Sequence, residues 1–419
     1  MSGYETAAIL LAISALFAFL NERFLRLPST IGLFLLALVS SILLTLCILI
    51  VPSSTHESIV RFVESIDFGR ILMDGMLSFL LFAGALHVPI RLLDKEKGSI
   101  FALAVVSTAL STVLVGFGLF GALRLIGIDL SLAYCMLFGA LISPTDPIAA
   151  LAILSKAGLP KPLETLFSGE SLFNDGIGVV FFTLLFGLAT GMGGEHGESE
   201  SVLQLITTEI GGGLLGGLLL GAIAHLMIGG TKERSTHVIL TVAVVFSGYA
   251  TCAALHVSGP IAMVVAGLVV GNLTFRTEFE TGERHDANAF WSMVDDLLNA
   301  VLFVMLGLAY QRVPLDIPIA CAGLAALFIS LASRYAAVFA TTGALGFARR
   351  FRIAQRDLVA LLTWGGLRGG LSVALALSLP AGNERDLIVG MTATVVAFSI
   401  LLQGLTVGKL YTRISERKA

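Results

Sequence analysis

Four residues in one apolar stretch carry oxygens or a proton that chemistry could use: Glu170, Ser171, Asn174 and Asp175, within GESLFNDG at 169–176. The run around them, 163–189, is long enough to cross a bilayer. A carboxylate near the middle of a membrane span costs roughly 2.5–3.5 kcal/mol on insertion scales. Two carboxylates and an amide in six residues therefore imply a use. Glu170 and Asn174 are four apart, as are Ser171 and Asp175, so each pair shares a helix face. Hydroxyl and carboxylate oxygens together suit a small hard cation. A patch that only glued helices together would be served by amides or hydroxyls at lower desolvation cost.

Two further segments contain chemistry in apolar surroundings. In LFGALISPTDPIAAL, Pro144 and Pro147 each remove a backbone donor, with Thr145 and Asp146 between them. Asp146 before Pro147 has the pattern of an N-cap followed by proline at the first helical position. The spacing predicts two half-helices meeting near mid-membrane, with carbonyls freed around 143–145. Such backbone is tolerated at that depth only when buried in protein or lining a cavity. In LLTWGGLRGGLSVALAL, glycine pairs at Gly365–Gly366 and Gly369–Gly370 flank Arg368, which predicts a second interruption. A re-entrant hairpin at 143–147 would disturb the loop charges described below.

The elements that must position these groups follow from composition. The chain has 419 residues, 56% hydrophobic and 13% charged, with net charge −3 and mean hydropathy +0.93. Soluble proteins carry roughly 25% charged residues, so this is an all-α polytopic membrane protein. Apolar windows predict thirteen transmembrane helices, at 7–20, 30–51, 71–90, 99–123, 132–155, 163–189, 205–228, 237–256, 261–273, 290–310, 317–345, 358–379 and 387–405. Loops after odd-numbered spans, with the tail, hold 19 Lys and Arg against 5 in the opposite loops. That bias places the N-terminus outside and the C-terminus in the cytoplasm. The first span has no basic segment before it and reads as a span, with no cleaved signal.

The remaining sequence adds little chemistry. Cys47, Cys135, Cys252 and Cys321 lie in apolar runs and read as small hydrophobes. No cofactor, enzymatic or nucleic-acid motif is evident, and no soluble domain. The segment 59–66 reads as a short amphipathic surface piece, and 191–201 as a linker between halves. Spans five and twelve are seven apart and run in opposite directions. This predicts an inverted repeat of six-helix units with two broken crossing helices, the pattern of a transporter site. Arg334 is expected to bridge to Asp295 or Asp296 at the start of span ten, near Asn299. Asp74 and Glu209 are near span ends, and His87, His225, His237 and His256 read as interfacial.

With SPTDP, GESLFNDG and WGGLRGG in this order, the chain resembles the monovalent cation/proton antiporters, in their sodium/proton exchanger (NhaP-like) branch. The resemblance covers nearly the whole chain. It implies a single transmembrane unit with interleaved dimerisation and core subdomains, a homodimer in lipid, and a bacterial inner membrane. It implies exchange of Na+ or Li+ for H+, with K+ the alternative substrate. Asp175 would carry cation or proton, with Asp146, Thr145 and Ser171 as further ligands. Asn174 would tie the broken helices together, and Glu170 would pair with Arg368. Many exchangers of this branch have a glutamate where this chain has Ala83 in LLFAGALHV, so a third site carboxylate is not expected from that helix. Exchange is expected to be electroneutral, because Asn174 does not titrate and Arg368 stays protonated. An intramembrane aspartyl protease is disfavoured by TD and ND contexts in place of YD and GxGD. A cation channel would give no saturable coupling to a pH gradient.

Overall fold

A computed structural model describes residues 3–48, 71–146, 148–190, 202–231, 233–274, 281–312, 316–346, 351 and 353–417. The expected surface piece at 59–66, the linker at 191–201 and Pro147 lie outside the described residues. The helices are α1 (Gly3–Leu20), α2 (Ser29–Ile48), α3 (Leu77–His87), α4 (Ile90–Phe101), α5 (Thr108–Leu125), α6 (Leu132–Ile142), α7 (Ile148–Lys156), α8 (Lys161–Thr190) and α9 (Val202–Gly229). They continue with α10 (Arg234–Ala254), α11 (Gly259–Val269), α12 (Thr281–Ala309), α13 (Ile317–Ala344), α14 (Gln355–Gly365), α15 (Gly370–Leu377), α16 (Asn383–Phe398) and α17 (Gly404–Glu416). Wider helical turns at Ala102–Ser107 and Ser399–Gln403 carry α4 into α5 and α16 into α17.

Every expected apolar segment contains helix, but the segments are unequal. Eight helices among the described residues are long and apolar enough to cross a membrane. Four more apolar helices are shorter, and the fifth and twelfth segments are split in two. The fold is all-α with apolar spans; a count of thirteen crossings goes beyond what helix length and composition show.

Local chemistry explains several boundaries. Ser131 caps α6 by accepting from the Tyr134 N–H at 3.4 Å, and Ser258 does the same for α11 from Ile261, with Pro260 in the first turn. Helices α9 and α11 pack closely along Gly213, Gly217 and Gly221. A Cβ at Gly217 would stand 2.7 Å from the Val265 Cβ, so only glycine allows this approach.

The buried apolar side chains form two large clusters. One gathers α2, α6, α15 and α16; the other gathers α3, α7, α11 and α14. Each interrupted span places one half in each cluster. Residues Leu137–Ile142 of α6 join the first, and Ala150 and Leu154 of α7 join the second. The order is reversed for α14 and α15, so the two interrupted spans cross antiparallel. Their breaks lie at the seam between the clusters, where irregular backbone is enclosed by protein.

Candidate functional site

The two breaks meet through the backbone. The N–H of Asp146 donates to the Leu367 carbonyl at 2.8 Å, a single antiparallel bridge. The approach requires glycine at 369. A Cβ there would lie 2.8 Å from the Asp146 Cβ and closer still to its carboxylate. Helix α6 stops at Ile142 because Pro144 cannot supply the next N–H. That leaves carbonyls without helical partners inside the protein.

Arg368 supplies the missing donors. Its Nη1 donates to the Pro144 carbonyl at 2.7 Å and also to the Ser143 carbonyl. Its backbone N–H donates to Ser399 Oγ at 2.8 Å. Ser372 Oγ donates to the Leu141 carbonyl at 2.7 Å, tying α15 to the end of α6. An arginine in this position satisfies one break from the other.

The expected pairing of Glu170 with Arg368 is therefore replaced. Glu170 on α8 pairs with Arg334 on α13, and both side chains are 1% exposed. Arg334 is likewise not the partner of Asp295 or Asp296. The physical reason is local supply. The freed carbonyls at Ser143 and Pro144 take Arg368, while Arg334 points from an intact helix onto Glu170. Two buried arginines and several carboxylates admit more than one pairing in sequence.

Two of the four residues first singled out, Ser171 and Asn174, meet the break at Thr145. Thr145 Oγ1 lies 3.2 Å from Ser171 Oγ and accepts from Asn174 Nδ2 at 2.9 Å. All three side chains are buried. Ser143 Oγ donates to Ser111 Oγ at 3.2 Å, anchoring the same strand of backbone to α5. Asp146 and Asp175 are half-buried and open onto one cavity of about 210 Å³. The cavity wall also includes Pro144, Ser168, Gly369 and Ser372.

The opposite wall holds residues whose part the sequence did not reveal. Asp295 and Asn299 of α12 line the same cavity. Asn299 is 5% exposed and its Oδ1 has no hydrogen-bond partner. Four-residue spacing placed the two on one helix face, but nothing in the sequence said which element that face meets. Asp296, next to Asp295, is exposed. Ala83 is fully buried in α3, and its carbonyl faces His87 Nδ1 at 2.8 Å. A third cavity carboxylate thus exists, but it comes from α12.

Such an arrangement can bind a partly dehydrated cation. Carboxylates and the Ser168 and Ser372 side chains border a partly open cavity, Thr145 and Ser171 are buried beside it and outside its lining, and the two buried guanidinium groups are engaged elsewhere. Neither Arg334 nor Arg368 is the ion-pair partner of Asp175. A carboxylate so placed is neutralised by a proton or by a cation.

Comparison with known proteins gives concordant results. A family model described as "Sodium/hydrogen exchanger, transmembrane" matches residues 9–413. The chain is 42% identical over 418 residues to the Na(+)/H(+) antiporter NhaP of Pseudomonas aeruginosa, covering 98% of this chain and 96% of that one. It is 34% identical to the Na(+)/H(+) antiporter NhaH of Halobacillus dabanensis, over 84% of this chain and 85% of the relative. Among solved structures, the sodium proton antiporter MjNhaP1 of Methanocaldococcus jannaschii superposes with a TM-score of 0.74 at 22% identity, covering 98% of each chain. That last likeness concerns the fold.

Proposed function

The chain belongs to the transmembrane sodium/hydrogen exchanger family, and on that footing we propose that it is a secondary antiporter exchanging Na+ or Li+ for H+ at Asp175. The observation that carries this reading is the cavity shared by Asp175 and Asp146 at the crossing of the two breaks. Asp175 holds either the cation or the proton. Thr145, Ser171 and Asp146 complete the oxygen shell while the cation is bound. Asn174 supports the break through Thr145, Arg368 through its carbonyls, and Glu170 with Arg334 fixes α8 against α13. The proton-loaded and cation-loaded forms carry the same charge, and both cross between the two faces of the membrane; the empty form carries one more negative charge and does not, because moving an uncompensated charge through the protein interior costs too much.

The stoichiometry in this reading is one cation for one proton. Asn174 carries no titrating proton and an arginine keeps its own. Asp175 remains the simplest carrier, with Asp146 as the group that would break the balance if it also exchanged a proton. The unit works as a homodimer in lipid, with interleaved dimerisation and core parts, in a bacterial plasma membrane with its C-terminus cytoplasmic. The lysine and arginine bias supports that orientation.

Proteoliposomes loaded with a pH-sensitive dye test the proposal. Sodium and lithium pulses should dissipate an imposed pH gradient with saturation, and potassium should do so weakly. A potassium response equal to the sodium response would replace the substrate assignment with K+/H+ exchange. Absence of any cation-coupled response would end the proposal.

A further inference from the structure

A second cavity, of about 630 Å³, lies away from the ion site between α13, α14 and α17. Its walls are apolar and aromatic, with Leu331 and Tyr335 from α13, Trp364 from α14 and Leu410 from α17. Lys409 and Arg413 stand at its edge, four residues apart on one face of α17. Both are exposed. The cleft is bordered by side chains suited to lipid. Leu324, Phe328, Tyr335 and Phe339 form an exposed stripe along α13, and Leu402 and Leu405 are exposed on the other flank.

One buried group in this cleft lacks a partner. Helical threonines here return their hydroxyls to the carbonyl four residues earlier, as Thr341, Thr392 and Thr406 do. Thr363 does not. The residue lines the cleft and is only 7% exposed, and its buried hydroxyl has no hydrogen-bond partner. The neighbouring polar groups are satisfied, since Trp364 Nε1 donates to Thr406 Oγ1 at 2.8 Å. A buried hydroxyl left unpaired is unfavourable, so an acceptor in the cleft would be favoured.

We propose that this cleft binds an anionic glycerophospholipid, whose phosphate meets Lys409 and Arg413, whose ester or phosphate oxygen accepts from Thr363, and whose acyl chains lie along the α13 stripe. Charge complementarity selects the anionic headgroup. Two cations with no carboxylate among the described residues of the lining attract a phosphodiester. An apolar wall that opens toward lipid-facing side chains selects a lipid over a soluble anion. The position falls on the side to which the basic-residue bias assigns the cytoplasm.

Tryptophan fluorescence reports on this cleft directly. The protein has two tryptophans; Trp291 is fully buried, whereas Trp364 forms part of the cleft wall. The full chain is placed in phosphatidylcholine nanodiscs with a minor fraction of acyl-brominated phosphatidylglycerol or, in parallel, acyl-brominated phosphatidylcholine. Brominated phosphatidylglycerol should quench more strongly at equal mole fraction. In the K409A/R413A double variant the excess should fall to the phosphatidylcholine level, and Thr363→Val should reduce it. Lys409 and Arg413 are exposed, so folding should survive, and monodispersity checks this. The control pair K156A/R356A removes two other exposed cations and should leave the excess intact. Equal quenching by the two lipids in the unsubstituted protein would overturn the proposal. So would an excess that persists in K409A/R413A, or one lost equally in the control pair, which would mean general surface charge.

Discussion

Removing Glu170 should destabilise the protein more than removing Arg334, and the two losses should not add. Both side chains are 1% exposed. In Glu170→Ala, Arg334 keeps only the Leu362 carbonyl at 3.5 Å, and its Nε and Nη1 already lack partners. A guanidinium cannot shed its proton, so a buried charge remains, at a cost of roughly 3–5 kcal/mol. In Arg334→Ala, the carboxyl left behind can discharge by taking a proton, which limits the loss. The double variant leaves neither charge. Its loss should fall short of the sum by about 1–3 kcal/mol, the range for residues in direct contact. Thermal unfolding in detergent measures this, with a drop on the order of 5–10 °C expected for Glu170→Ala. The same cycle with Arg368→Ala should show weaker coupling, because Arg368 is held by the Ser143 and Pro144 carbonyls. Coupling to Arg368 that exceeds coupling to Arg334 would refute the pairing and the reasoning from it.

Three other outcomes follow from the site. Asp295→Asn and Asn299→Ala should each raise the half-saturating sodium concentration about 2- to 10-fold, the equivalent of one hydrogen bond's 0.5–1.5 kcal/mol; unchanged saturation curves in both would remove α12 from the cation's route. Gly369→Ala should cut exchange about tenfold, given an overpacking penalty of ~1–3 kcal/mol at the Asp146 contact. Gly211→Ala, where an added Cβ meets nothing within 4 Å, should exchange normally; equal activity in the two would contradict the close approach of the breaks. Exchange measured under a clamped potassium/valinomycin potential should be insensitive to voltage at fixed ion gradients, and a rate or end point that moves with voltage would exclude one-for-one exchange.

The membrane class and the interrupted helices were legible because lipid punishes exceptions. Proline and paired glycines stand out in apolar runs, and a buried carboxylate has no inexpensive explanation there. Ser171 and Asn174 stood out for the same reason, as polar groups in an apolar span, whereas their meeting at Thr145 was implied by the family resemblance and not by helical spacing. The pairing of Glu170 was not legible. Arg334 and Arg368 are both buried arginines, and the choice depends on which is nearer to orphaned carbonyls. The role of Asn299 was hidden as well. Spacing along α12 says which residues share a face, but the element opposite that face is a property of the tertiary arrangement. The crossing count also resists sequence, because half-helices and short helices such as α11 do not meet a length criterion for spanning.

The central claim is that Asp175 alternates between a proton and a cation, and Asp175→Asn tests it most directly. The amide keeps the size and the hydrogen-bonding capacity of the side chain but cannot trade a proton for a cation. Purified Asp175→Asn should remain monodisperse and thermally stable. In dye-loaded proteoliposomes it should give no sodium- or lithium-driven change in lumenal pH, while the unsubstituted protein dissipates the gradient. Exchange by Asp175→Asn at the rate of the unsubstituted protein would contradict the account.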